Sequence, residues 1–176
     1  MKKFTLVGGE VPAISLQGIG PVHEMVEKQE GKLNVWKEGD PDPGFVLGSA
    51  IRFIPLWIYD LENDKHLDSD GVERIACMGP FPHDYIYNDL RWNMDHPYSV
   101  SGNDDQQTQY GFVTSNGFFV DRHKAGYIWQ QMLKNAGWRD PSFEKEFAPN
   151  LYSYCYKPEV IDHHVSEALK LSLKPN

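Results

Sequence analysis

"YGFVTSNGFFVDRHKAGYIW", residues Tyr110–Trp129, decides how this chain folds. Apolar runs flank Asn116-Gly117, the strongest short hairpin dipeptide in the sequence. "QYGFVTS" reads as the outgoing strand and "FFV" as a short returning one. Asp121 then stands where a helix N-cap belongs. In "RHKAGYIWQQMLKNAG", Ala125, Ile128, Trp129 and Met132 recur at helical spacing, and Gly137 closes the helix as its C′ residue. A hairpin thus feeds directly into a helix. That geometry aims the first helical N–H groups at one spot, which favours an anion there. Arg122 adds a planar fork of donors suited to phosphate. Alternation places Phe118 and Phe119 on opposite faces, so one can be core while the other meets a flat ligand. The competing reading is architectural: Asp121 only caps, Arg122 is solvated or pairs with a nearby acid, and both phenylalanines are core.

Working outward, "FVLGSAIRFIPLWIYDL" (Phe45–Leu61) reads as a buried strand cut in two by Pro55. "VERIACMG" (Val72–Gly79) reads as a second strand, joined to the first through the polar loop "ENDKHLDSDG" as a β-hairpin. Tyr85, Ile86, Asp89 and Leu90 show helical spacing, and "NMDHPYSVSGNDDQQT" reads as loop. "PNLYSYCYK" reads as extended. "PEVIDHHVSEALKLSL" reads as an amphipathic helix with Pro158 near N1 and an apolar face of Val160, Ile161, Val165, Ala168 and Leu169. Residues 1–45 are broken by glycine and proline, carry one short helix around "PVHEMVEKQE", and end on the turn signal "EGDPDPG". The expected fold is α+β: a small antiparallel β-sheet packed by two or three helices. Its parts are an N-terminal extension (1–45), a core domain (46–157) and a C-terminal amphipathic helix (158–176). No βαβ alternation, GxGxxG or P-loop is present, which disfavours dinucleotide and NTPase folds.

A net charge of -8 argues against binding bulk nucleic acid, which needs a broad basic surface, while leaving room for a small nucleotide held by local cations. No apolar run reaches the roughly 20 residues of a membrane span, and the first 20 residues lack the apolar core of a signal peptide. Cys77 and Cys155 sit in no CxxC motif and fit reduced thiols in a cytosol. His83 and Asp84 form a candidate acid–base or metal pair, against which stands Asp84 as a cap and His83 exposed. His66, His96, His123, His163 and His164 show no metal spacing, so no metal or cofactor is expected. His163 and Glu167, at i and i+4, are a weak metal pair better read as a solvated face.

"AIRF", "ERIACMGPFPHD", "QYGFVTSNGFFVDRHKA" and "NLYSYCY" follow one another in an order that resembles a family of small phage proteins, the anti-Thoeris sponges. The likeness spans roughly residues 49–157. It is densest at Gly111, Phe112, Thr114, Ser115, Gly117, Phe119, Val120, Asp121 and Arg122. The resemblance implies a protein that binds a cyclic ADP-ribose-type signal, or in some members a cyclic oligonucleotide, and withholds it from its effector without turning it over. It further implies a homodimer or higher homo-oligomer with shared sites, working in the cytoplasm of an infected bacterium. Two cationic positions of the family differ: Phe118 replaces an arginine, and Phe81-Pro82 replace Arg-His. The ligand-binding residues so expected are Arg122 and Asp121 at the helix start, Phe118 and Phe81 lining the base or ribose pocket, and Ser115, Asn116 and His83 as hydrogen-bonding groups. A missing cation would have to come from Arg52, Arg74 or Arg91. The alternatives are a protein-interaction module whose pocket Phe81 and Phe118 have filled, and a nucleotide phosphodiesterase using His83 and Asp84.

Overall fold

The computed structural model describes residues 8–92, 97–155 and 157–174. His96 and part of the loop expected before Tyr98 lie outside them. Six strands close into a barrel: β1 (Glu10–Ser15), β2 (Lys32–Val35), β3 (Val46–Phe53), β6 (Arg74–Met78), β8 (Thr108–Thr114) and β9 (Phe118–Asp121). Their order around the wall is β1-β2-β9-β8-β3-β6. A three-stranded sheet stands beside it, with β4 (Trp57–Asp60) between β5 (Lys65–Asp68) and β7 (Tyr98–Ser99). The helices are α1 (Pro21–Lys28), α2 (His83–Trp92), α3 (Arg122–Ala136) and α4 (Pro158–Ser172).

The fold is α+β as expected, but the sheet is closed rather than a small open one. Residues 10–35 are not an extension: they supply β1 and β2. Both make the parallel pairings that complete the wall, β1 with β6 (Ala13 opposite Ile75) and β2 with β9 (Asn34 opposite Phe118). β3 and β6 do pair antiparallel. The piece after Pro55 leaves the barrel as β4, and the polar loop supplies β5, which pairs with it as a hairpin. The segment expected to be extended after Pro149 contains a 3-10 turn, Ser153–Cys155.

Three apolar clusters explain why the strands read as they do. Inside the barrel sit Val11, Leu33, Ala50, Ile75, Cys77, Val113 and Phe119, and α1 plugs one mouth with Val22, Met25 and Val26. Outside, Val46, Phe112 and Val120 pack under α3 and α4 through Ala125, Trp129, Met132, Val160 and Ile161. On another flank Ile51, Phe53, Ala76 and Met78 receive Ile86 and Leu90 of α2. β3 is therefore buried on both faces, which is why it reads as a continuous run without alternation. At the mouth opposite α1, Arg52 shares a face with Ala50 and pairs with Glu73, with Gln109 Oε1 accepting from its Nη1 at 3.3 Å.

The hairpin of the opening stretch forms with Gly117 N–H donating to Thr114 O (3.1 Å) and Gly117 at φ +83°. Positive φ falls on Gly117 alone in this turn, so it is a three-residue loop with a glycine bulge. Asp121 caps α3, accepting from Lys124 N–H at 2.8 Å. Gly137 ends it at φ +70°, with Trp138 N–H returning to Leu133 O at 2.9 Å. α4 buries Val160 and Ile161, but Ala168 and Leu169, expected on the same face, are exposed.

Candidate functional site

Arg122 opens α3, and its side chain does not reach freely into solvent. Its guanidinium carbon lies 5.0 Å from the ring centre of Tyr110 on β8 and 4.8 Å from that of Tyr152, just before the 3-10 turn. Two aromatic rings thus hold the guanidinium by cation–π contact, and its N–H donors lie in its own plane. Its Nε is buried with no hydrogen-bond partner, and Nη1 reaches Asp104 Oδ2 only at 3.4 Å. A long ion pair of this kind holds weakly, and an oxyanion at the same edge could replace it.

The rings extend in both directions. Tyr110 stacks on His83 (5.1 Å between centres, 12° between planes). Tyr152 stacks on Tyr154 (5.5 Å, 11°). His83, Tyr110, Arg122, Tyr152 and Tyr154 thus form one stack, from a buried histidine to a tyrosine that is 79% exposed.

Gly126 allows this arrangement. It sits one turn into α3, and a Cβ there would stand on the Pro149 carbonyl oxygen. The chain crosses the helix at that point, and Leu151 N–H donates to Arg122 O at 2.9 Å. Tyr152 follows immediately and is delivered onto the arginine.

His83 is buried, not exposed. Its Nε2 donates to Gly111 O at 2.7 Å, so Nδ1 is the acceptor for the Ser153 hydroxyl at 3.0 Å. Ser153 Oγ also accepts the His83 N–H at 3.0 Å. Both ring nitrogens are engaged, which leaves neither for an acid–base partnership with Asp84. Burial pushes its pKa down to about 4, the Gly111 carbonyl opposing and the Arg122 charge assisting. In the unfolded chain the same ring titrates near 6.5. Below that pH the unfolded state binds the extra proton, so the stabilisation is complete above 6.5 and is lost as pH falls towards 4. The expected loss is about 3 kcal/mol. Urea unfolding at pH 7 and pH 4.5 checks it, since His83→Gln must flatten that part of the pH dependence.

The expected site residues do not all converge. Ser115 and Asn116 are at the far end of the hairpin, about 13 Å from Asp121 at the strand rise. There Ser115 Oγ accepts from Phe45 N–H (3.0 Å) and Asn116 Nδ2 donates to Asp42 O (2.9 Å), fastening the turn to the 42–45 loop. Phe118 packs partly against the outer cluster, away from the Arg122 stack, and lines a separate cleft of about 660 Å³ with Asn34, Val35 and Lys37. Asp121 faces a second cleft of about 420 Å³, where Lys124 Nζ lies 4.0 Å over the Trp36 ring. Phe81 packs on Tyr85 and on the α2 cluster that Tyr110 also joins. Of the expected set, Arg122 and His83 belong to one stack and Phe81 borders it.

Of the arginines expected to supply a missing cation, Arg52 pairs with Glu73 and Arg74 with Asp70 at 2.6 Å, while Arg91 reaches the Tyr87 hydroxyl only at 3.4 Å. Among the described residues no group of three or more His, Cys, Asp or Glu side chains is placed to hold a metal, and no helix is long and apolar enough to cross a membrane.

The sequence reasoning missed Tyr110, Tyr152, Tyr154 and Asp104. A glycine in the interior of a helix, at 126, was the available signal, because such a glycine often marks a close backbone approach. No family model, curated protein or solved structure matches this chain.

Proposed function

We propose that this is a phage immune-evasion protein that binds a nucleotide-derived signal, cyclic ADP-ribose-type or cyclic oligonucleotide, and sequesters it without turning it over. One observation carries the reading: at the start of α3, the Arg122 guanidinium lies against the rings of Tyr110 and Tyr152 and is held by Asp104 only at 3.4 Å. A guanidinium held against two rings is pre-oriented, so little side-chain entropy is left to lose when a phosphate docks on its N–H groups. The engagement of both His83 nitrogens favours holding over hydrolysis. As a sponge, the protein works as a homodimer or higher homo-oligomer in the cytoplasm of the infected cell, with sites shared between copies.

The test is depletion and return. Purified protein mixed with the product of a bacterial TIR enzyme removes the signal from solution, and heating releases it with unchanged mass. Failure to deplete either this product or cyclic oligonucleotides at micromolar protein rules the reading out. Recovery of a cleaved product identifies an enzyme instead.

A second reading has its own observation. The end of α4 exposes Leu169, Leu171 and Leu173 at 58, 66 and 81%. Leu169 and Leu173, four residues apart, share one side of this helix end, and an exposed apolar pair there suits docking on another protein. That binding survives Arg122→Ala, whereas nucleotide binding does not.

A further inference from the structure

We infer that Ser15, His23 and Glu27 form a second site, sharing no residue with the Arg122 stack, that cleaves carboxylic esters through an acyl-serine intermediate. Ser15 is the nucleophile and His23 the general base. Glu27 positions the imidazole.

The three side chains are connected in series. Ser15 Oγ lies 2.6 Å from His23 Nδ1, and His23 Nε2 lies 3.0 Å from Glu27 Oε1. A carboxylate only accepts, so Nε2 carries the ring proton and donates it to Glu27. In the neutral ring Nδ1 is then the acceptor, and it takes the hydrogen bond from the Ser15 hydroxyl. Nucleophile, base and orienting acid thus follow one another in the order that acyl transfer needs. The ring is turned end for end relative to the serine-protease arrangement, where Nε2 faces the serine. The chemistry needs only an acceptor at one nitrogen and a donor at the other.

Two elements bring these groups together. Val11 and Ala13 of β1 pack into the barrel interior, and alternation puts Ser15 on the same face at the end of the strand. α1 plugs that mouth with Val22, Met25 and Val26, and His23 and Glu27, four residues apart, share one side of it. Leu16 N–H donates to Cys77 O at 3.0 Å, which fixes the backbone beside the nucleophile. Ser15 and His23 are half-buried, partly shielded from water yet within reach of a substrate.

The surroundings suit an ester. α1 starts at Pro21 after Gly20, and no side chain caps it. The N–H groups of Val22 and His23 therefore have no acceptor within the helix, in the turn that carries the imidazole. Such donors stabilise the oxyanion of a tetrahedral intermediate. Ile19, in the loop between Ser15 and α1, is 77% exposed and offers an apolar contact to the acyl chain.

In the reaction, Ser15 Oγ bonds to the carbonyl carbon as its proton passes to His23 Nδ1. The bond from that carbon to the alcohol oxygen breaks, and His23 gives the proton to the departing oxygen. Water then attacks the acyl-serine, passing a proton to His23 and from there to Ser15 Oγ, and the carboxylic acid leaves.

Intact-protein mass spectrometry after incubation with a fluorophosphonate, beside hydrolysis of p-nitrophenyl butyrate, tests this. Wild type is expected to gain one phosphonyl group as fluoride leaves, to carry it on Ser15, and to hydrolyse the ester. Ser15→Ala should abolish both reactions, and His23→Ala should slow both by about 100-fold or more. Glu27→Gln should lower kcat for the ester with KM unchanged, as expected of a residue that acts through the base. Thermal unfolding of each variant shows that it is folded.

Wild type that takes no label overturns the inference and leaves the Ser15–His23 bond as a fastener of α1 to β1. A label on another residue, or labelling of Ser15 that His23→Ala leaves unchanged, overturns it equally. A kcat unaffected by Glu27→Gln overturns the role of Glu27. The depletion assay reads the Arg122 corner separately, so failure at either site leaves the other standing.

Discussion

Arg122→Ala is expected to weaken nucleotide binding by at least about 100-fold while the protein stays folded. The guanidinium supplies charge-assisted hydrogen bonds at its edge, each worth about 1.5–3 kcal/mol, and two of them account for that loss. Against this, the fold loses only the packing of the guanidinium on Tyr110 and Tyr152 and a weak pair with Asp104. Such contacts contribute about 1 kcal/mol each at a partly exposed site. Arg122→Lys should not rescue binding. An ammonium keeps the charge but neither lies flat against two rings nor presents a fork. Calorimetry with a diphosphate ligand, beside thermal unfolding of the same variants, separates the two effects. Equal losses of affinity and stability would make Arg122 a structural pin.

The second large effect lies at the barrel mouth, in the pair of Arg52 with Glu73. Glu73→Ala is expected to lower stability by about 3–5 kcal/mol, because it leaves the Arg52 charge buried without its carboxylate. Arg52 is 5% exposed, and its place at the barrel mouth lets little water in to compensate. For a chain of this size that corresponds to a fall of about 10 °C in melting temperature. The double substitution Arg52→Met with Glu73→Leu should recover most of the loss, since it removes both charges together. Thermal unfolding of the single and double variants is the check. Nucleotide affinity should stay near wild type, because neither residue touches the Arg122 stack.

Local pattern carried much of the fold. The hairpin, Asp121 as cap, Gly137 as terminator and the apolar stripes of α1, α2 and α3 all follow from spacing and turn chemistry within about 20 residues of chain. The barrel did not show itself, because it closes through parallel pairings between segments far apart. β1 meets β6 across some 60 residues, and nothing local in "EVPAIS" records that partner. β5 escaped for a different reason: Lys65–Asp68 is exposed throughout, so no apolar alternation marks it as a strand. α4 was over-read, since its apolar residues beyond Val165 face solvent.

The site divides along the same line. Arg122 was legible as a candidate because a helix start after a hairpin favours an anion, while the competing pairing with a nearby acid also forms, to Asp104 at 3.4 Å. Tyr152 and Tyr154 were not, because their position over it depends on the chain crossing α3 at Gly126. Ser115, Asn116 and Phe118 are near Arg122 in sequence but not in space: the first two fasten the turn to the 42–45 loop, and Phe118 lines a separate cleft. Along a hairpin, four residues of strand place two groups at opposite ends.

The central claim is that the Arg122 corner holds an intact nucleotide. Native mass spectrometry of wild-type and Arg122→Ala protein, each mixed with the TIR-made signal, tests it most directly. The account predicts a nucleotide adduct on wild type at the mass of the unaltered signal, on a dimer or larger assembly, and bare protein for Arg122→Ala. Wild type without an adduct, or an adduct of equal occupancy on both proteins, would contradict it.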